Sequence, residues 1–310
     1  MTEPDYDAAL DADDDWSEAT TLEAVDGHTI HVRLSVPAGE HRGAIQIVHG
    51  LGEHSGRYAR FARAAAARGF VVIVHDHRGH GGHIEQANFF ADRKGWERLI
   101  DDALTVHRYC RERFPSLPIT MLGHSMGSFV AQNFAMLHGD RLAGLIVSAS
   151  TWPNRVELLA GHLLARFEAW RVGPRRESAL LDKLGFGSHN KRFEPARTEH
   201  DWLSRDEAEV DAYVDDPLCG GPYTAGLWVD LTGGLLNISK DENVLRVPSD
   251  LPILITGGAD DPVGGEQRLG DLALHYAQTH HARLKVKIYP EGRHEMLNET
   301  NRDEVTADWL

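Results

Sequence analysis

Gly123-His124-Ser125-Met126-Gly127 sets a serine between two glycines in the spacing Gly-x-Ser-x-Gly, directly after the apolar run Ile119–Leu122 and before a helical pattern. Glycines on both sides let a strand and a helix meet in a tight turn, and the turn pushes the hydroxyl into the open. A serine is a weak nucleophile by itself. A histidine must take its proton, and a carboxylate must hold that histidine in the right tautomer.

For a serine on such an elbow, the acid and then the histidine follow in chain order, each in a loop beyond the C-terminal end of a strand. The run Leu251–Thr256 leads into Gly257-Gly258-Ala259-Asp260-Asp261-Pro262-Val263, and the run Leu284–Tyr289 leads into Gly292-Arg293-His294-Glu295. Among 19 histidines, His294 is the one that follows the last strand in a glycine-containing turn and precedes a final helical segment, so it is the expected general base. The acid is a choice between neighbours. Asp261 is favoured because a residue before proline is held extended, with Asp260 as the alternative.

A tetrahedral intermediate needs two backbone N–H donors, one from the residue after the nucleophile and one from a loop after an earlier strand. Met126 supplies the first. Leu51, within His49-Gly50-Leu51-Gly52, is expected to supply the second. His75, His77, His80 and His83 cluster with Asp76 but match no strong metal spacing, and Gly79, Gly81 and Gly82 suit a tight loop there. Cys110 and Cys219 are far apart and read as ordinary thiols. No metal and no cofactor is expected.

The elements that must position these residues follow from periodicity. Thr21–Val36 alternates apolar and polar residues around Asp26-Gly27, which predicts an edge hairpin. Ala44–Val48, Val71–His75, Ile119–Gly123 and Leu142–Ala149 are short apolar runs separated by helical patterns, the signature of parallel βαβ units, and two more such runs lie near the C-terminus. Between them the segment from about Thr151 to about Pro248 is too long for a plain connection, so a helical cap over the strand ends is expected. Its stripe Val156, Leu159, Leu163, Phe167 and Trp170 predicts a helix that packs on the sheet domain and turns one edge toward a substrate cavity. The division is then an acidic tail over 1–18, a core over 19–150 and 249–310, and a cap over 151–248.

With 310 residues and 42% hydrophobic content, the chain can bury a substantial core. A formal net charge of -15 disfavours nucleic acid and tight docking on anionic lipid. The acidic start and the lack of long apolar runs predict a cytoplasmic protein with no stable membrane insertion.

These residues resemble the monoacylglycerol lipase and lysophospholipase branch of the α/β-hydrolases. The likeness runs from about Thr21 to Leu310 and shows in His49-Gly50-Leu51-Gly52-Glu53-His54-Ser55-Gly56-Arg57-Tyr58, in Asp76-His77-Arg78-Gly79-His80-Gly81, in the elbow at Ser125 and in Arg293-His294-Glu295. Phe89–Trp96, Asn190–Phe193 and Asp201–Asp206 are similar to a bacterial, lysophospholipase-like subgroup. The resemblance implies an α/β-hydrolase fold, a mostly parallel sheet flanked by helices with a helical cap inserted between late strands. The family's Gly-x-x-Asp-x-Val context falls on Asp261. It implies hydrolysis of a single-chain lipid ester, monoacylglycerol first. Lysophospholipids and short or medium carboxylic esters come second, then thioesters and amides, and a non-catalytic binding protein is the different class. Leu51 is larger than the residue often found there, which narrows the expected entrance.

Overall fold

The computed structural model describes residues 16–279 and 281–310. Residues 1–15 of the expected tail lie outside the described residues. Its last three positions belong to the fold: the Ser17 hydroxyl accepts from Val36 N at 2.6 Å, Trp16 packs beside the core, and Glu18 opens the first strand.

Eight strands form one sheet: β1 (Glu18–Glu23), β2 (Thr29–Ser35), β3 (Gly43–Val48), β4 (Phe70–His75), β5 (Ile119–His124), β6 (Gly144–Ser148), β7 (Ile253–Gly258) and β8 (Leu284–Tyr289), in the order β1-β2-β4-β3-β5-β6-β7-β8. β1 and β2 are the antiparallel edge hairpin, β2 meets β4 antiparallel, and every pairing from β4 to β8 is parallel. Parallel strands need crossovers that cover both faces, so the central strands are apolar on both sides. Ala44, Val71, Ile73 and Ile119 face one way, while Ile45, Ile47, Val72, Val74, Leu122 and Ile146 face the other. Helices α2 (Gly95–Arg113) and α3 (Met126–His138) cover the first face, and α1 (Ala59–Ala66) covers the second with α10 (Arg302–Trp309).

Between β6 and β7 the chain forms α4 (Arg155–Val172), α5 (Ala179–Phe186), α6 (Glu207–Asp215), α7 (Ala225–Ile238) and the short α8 (Asp241–Val244), and α9 (Gly265–Gln278) follows β7. Side-chain oxygens of Asn154, Ser178 and Thr224 cap α4, α5 and α7, satisfying N–H groups that have no partner inside the helix. The inserted segment shares its core with the sheet: Leu227, Leu231 and Ile238 of α7 pack in one cluster with Leu99, Phe134 and Ala135.

The expected inward face of α4 is corrected by the structure. Val156, Leu159, Leu163, Phe167 and Trp170 are all exposed, with Val156 and Trp170 each at 79%. The buried side of α4 is the opposite one, where Ala165 is covered and Leu164, Ala169 and Val172 pack against the core cluster.

Several imidazoles are fully inside this fold. Burial holds His49, His75, His77, His80 and His124 below the usual histidine pKa, so they are kept neutral. Unfolding releases them to titrate at about 6.5, so the unfolded chain binds more protons below that pH. Stability from this source is present above about pH 6.5 and is lost as pH falls below it, by about 1 kcal/mol per imidazole for each pH unit. Urea midpoints are expected to drop steeply between neutral pH and pH 5.5, and a flat profile there would contradict the reading.

Candidate active site

Ser125 follows β5 and precedes α3 with φ 52° and ψ -121°, left-handed values that a non-glycine residue adopts only where its surroundings enforce them. Here both flanking glycines are required by close approach. A Cβ on Gly123 would lie 2.3 Å from the Gly127 carbonyl oxygen, and one on Gly127 would lie 2.0 Å from the Val48 carbonyl oxygen. The Ser125 N–H donates to the Ser148 carbonyl at 3.0 Å, tying the elbow to β6.

His294 Nδ1 lies 2.9 Å from Asp261 Oδ1, and both side chains are buried. Donation of Nδ1–H to the carboxylate leaves the Nε2 lone pair for another partner. Burial pulls the imidazolium down, but the Asp261 charge and hydrogen bond outweigh it, so the pKa of His294 is raised. Asp261 also accepts from Val263 N at 2.8 Å. Asp260 points elsewhere: its carboxylate is 2.5 Å from the Arg192 guanidinium, a third exposed.

Leu51, Met126, Ser125 and His294 line one cavity of about 1100 Å³. Among the described residues, neither the Leu51 nor the Met126 amide has a protein acceptor. The loop carrying Leu51 is held from both ends. Gly50 N donates to Glu53 Oε1 at 2.5 Å, and the Gly52 carbonyl accepts from Gly220 N and the Tyr213 hydroxyl, both at 2.8 Å.

Sequence reasoning missed the charged frame beneath these loops. Arg57 forks onto Glu295 at 2.5 and 2.8 Å and reaches Glu53 at 3.3 Å, while Tyr58 donates to Glu53 at 2.9 Å. Burial disfavours the Glu295 charge, but Arg57 overrides it and holds that carboxyl well below its ordinary range. The frame therefore joins the Gly50–Glu53 turn to the residue after His294. The signal was an acid within three residues of the glycine turn and another beside the histidine, which spacing alone does not pair.

The cavity lining divides chemically. Phe129, Trp202, Trp228 and Leu231 are buried apolar walls, while Glu194, Arg197 and Glu199 are polar and exposed. Most of the lining comes from the segment between β6 and β7, through α5, α7 and the intervening loops, and none of the α4 stripe takes part. Trp202 also packs on the His294 ring, centroids 4.8 Å apart, and its carbonyl accepts from His294 N at 3.4 Å.

The histidine cluster is structural. His49 Nε2 accepts from His77 N at 2.9 Å, Asp76 holds Arg33 and Ser55, and His83 stacks on His31. His54, Asp216 and Cys219 are the one potential ligand trio among the described residues. Its hydrogen bonds oppose a metal: His54 Nδ1 accepts from Gly56 N at 3.2 Å, so Nε2 carries the proton that it gives to Asp216 at 2.9 Å. Cys110 is buried and Cys219 half-buried, and both are free. No helix among the described residues is long and apolar enough to cross a membrane.

A mostly parallel eight-stranded sheet carrying a strained serine between β5 and a helix defines an α/β-hydrolase. The chain belongs to the Hydrolase_4 family, described as serine aminopeptidase, S33, which matches residues 39–301. It is 30% identical to the human monoglyceride lipase over 277 residues, covering 88% of this chain and 82% of that one. It is 27% identical to the monoacylglycerol lipase of Mycolicibacterium smegmatis, covering 92% and 94%. In structure it is similar to a thermostable carboxyl esterase from Bacillus coagulans in complex with glycerol, with a TM-score of 0.85, 28% identity and coverage of 94% and 96%.

Proposed function

We propose that this hydrolase cleaves the carboxylic ester of a single-chain lipid, with monoacylglycerol as the first substrate. The observation that carries the reading is the cavity itself, with Ser125 and His294 in its lining, buried aromatic and aliphatic walls, and an exposed polar segment at residues 194–200. A chain and a small polar head match that division. The similarity to monoacylglycerol lipases from human and Mycolicibacterium smegmatis supports the same assignment.

In the proposed reaction, Ser125 Oγ attacks the ester carbonyl as His294 Nε2 takes its proton, with Asp261 stabilising the imidazolium. The Leu51 and Met126 amides hold the oxyanion. Collapse expels the alcohol, which receives the proton from His294. Water, deprotonated by the same imidazole, then attacks the acyl-enzyme and releases the fatty acid with Ser125 restored. A lysophospholipid is the second reading, favoured by Lys183 and Arg268 in the lining, where a phosphate would find cations.

The test is kcat/KM across monoacylglycerols, lysophospholipids and p-nitrophenyl esters of graded chain length. Each methylene buried contributes about 0.8 kcal/mol, roughly fourfold in affinity, so long chains are expected to win by orders of magnitude. Leu235→Trp, which fills part of the apolar wall, is expected to shift the optimum to shorter chains while the shortest ester is cleaved as before. A preference for lysophospholipids over monoacylglycerols would select the second reading. A flat chain-length profile in the unsubstituted protein would overturn both.

A further inference from the structure

The loop that carries His294 is fastened to residues 201–206 of the segment between β6 and β7. The Trp202 carbonyl accepts from His294 N at 3.4 Å, and the Leu203 carbonyl accepts from Glu295 N at 2.8 Å. Arg293 donates to the carbonyls of Asp201 and Ser204. Glu299, fully buried, accepts from Arg293 N at 3.0 Å and from Arg205 N and Nε at 3.1 and 2.9 Å, so one carboxylate ties the two stretches of chain together. The imidazole at the site is therefore placed partly by residues that also wall the cavity.

Trp202 is the side chain that belongs to both. Its ring packs on His294 at 4.8 Å and on His189 at 4.7 Å between centroids, and it stacks on Phe186 at 6.3 Å with the planes 29° apart. Asn190 Oδ1 accepts from Trp202 N at 2.9 Å, which fixes the backbone beneath the ring. Phe186 in turn packs on Tyr223 and Trp228, at 5.3 and 5.5 Å. All these rings line the cavity that holds Ser125. Burial pushes the His189 pKa down to about 4 and leaves its Nδ1 without a partner, so this imidazole is a neutral packing surface. An acyl chain long enough to cover Phe186 and Trp228 would press the same aromatic group toward Trp202, and through it toward His294. A chain too short to reach them would leave the Trp202 ring without that support.

We infer that Trp202 is a positioning residue through which the occupied acyl pocket sets the His294 ring, so that a longer chain raises turnover as well as affinity. The inference rests on the reading of Ser125 as nucleophile and His294 as base. Contacts with a part of the substrate remote from the reacting bond raise kcat only where they orient the reacting groups. A misplacement of about 1 Å costs about 10²-fold in rate. A wall that merely binds the chain would lower KM and leave kcat as it was.

The test measures kcat and KM separately for dissolved p-nitrophenyl esters of graded chain length. Acylation and deacylation both pass through His294 in the proposed reaction, so kcat reports on that ring whichever step limits. Two replacements occupy most of the space of the indole: Trp202→Leu keeps an apolar wall without a flat ring, and Trp202→Phe keeps the ring. In the parent, kcat is expected to rise with chain length while KM falls. In Trp202→Leu, KM should still fall but kcat should stay flat, leaving the longest ester about 10²-fold below the parent with the deficit shrinking toward the shortest. Trp202→Phe should restore most of the rise. A kcat independent of chain length in the parent would overturn the inference, as would the same kcat profile in Trp202→Leu and Trp202→Phe, or an equal loss at every chain length. Ser125→Ala and His294→Ala assayed alongside separate this result from the reading beneath it. Activity retained in those two would remove the nucleophile and the base, whereas their loss beside a parent-like Trp202→Leu would remove only the role of Trp202.

Discussion

Ser125→Ala is expected to lower kcat by about a million-fold, and His294→Ala by a similar factor, with the double variant little worse than either. One proton transfer is shared between the two groups in the proposed reaction. Without the hydroxyl the imidazole has nothing to deprotonate, and without the imidazole the hydroxyl stays a poor nucleophile. Residual cleavage would come from the oxyanion donors proposed at Leu51 and Met126 and from substrate positioning, which neither substitution removes. Ser125→Ala should keep the fold, since it removes one oxygen from the cavity lining and the elbow is held by Gly123, Gly127 and the Ser125 N–H bond to Ser148. Steady-state kinetics on a monoacylglycerol and on a p-nitrophenyl ester would measure the effect. A Ser125→Ala preparation free of other esterases that retained a tenth of the activity would rule out this serine as nucleophile.

Asp261→Asn is expected to cost about ten-thousand-fold in kcat, while Asp260→Asn costs little. The asparagine keeps the shape of the side chain, but its amide can donate where Asp261 Oδ1 accepts from His294 at 2.9 Å, favouring the tautomer with the proton on Nε2. That tautomer cannot take a proton from Ser125. The carboxylate charge that raises the His294 pKa is lost as well. Asp260, by contrast, pairs with the exposed Arg192, and an ion pair of that kind is worth about 0–1 kcal/mol. Parallel turnover measurements on the two variants decide the matter, and equal losses would refute the assignment of Asp261.

Part of this fold is legible in the amino-acid sequence. The strands were readable because those buried on both faces are unbroken apolar runs, as in Val71–His75, bounded by turn residues. The serine was readable because its turn tolerates only glycine at Gly123 and Gly127, where backbone atoms come within 2.3 Å of any added Cβ. Local sterics of this kind leave a local mark. The proline after Asp261 is another such mark, and it favoured the carboxylate that the structure sets against His294.

What only tertiary structure decided is which surfaces meet. Helix α4 is apolar on two sides, and periodicity reports that an apolar row exists without saying whether protein or solvent faces it. The small residues at Ala165 and Ala169 took the inward side because they allow close approach to the core helices, leaving the bulkier row outside. The frame of Glu53, Arg57 and Glu295 was likewise beyond reach. Arg57 and Glu295 are separated by 238 positions in the chain, and any of several acids could have met that arginine. Their pairing is settled by the parallel sheet, which brings the loop after β3 and the loop after β8 to the same end of the strands, where burial makes an unpaired charge costly.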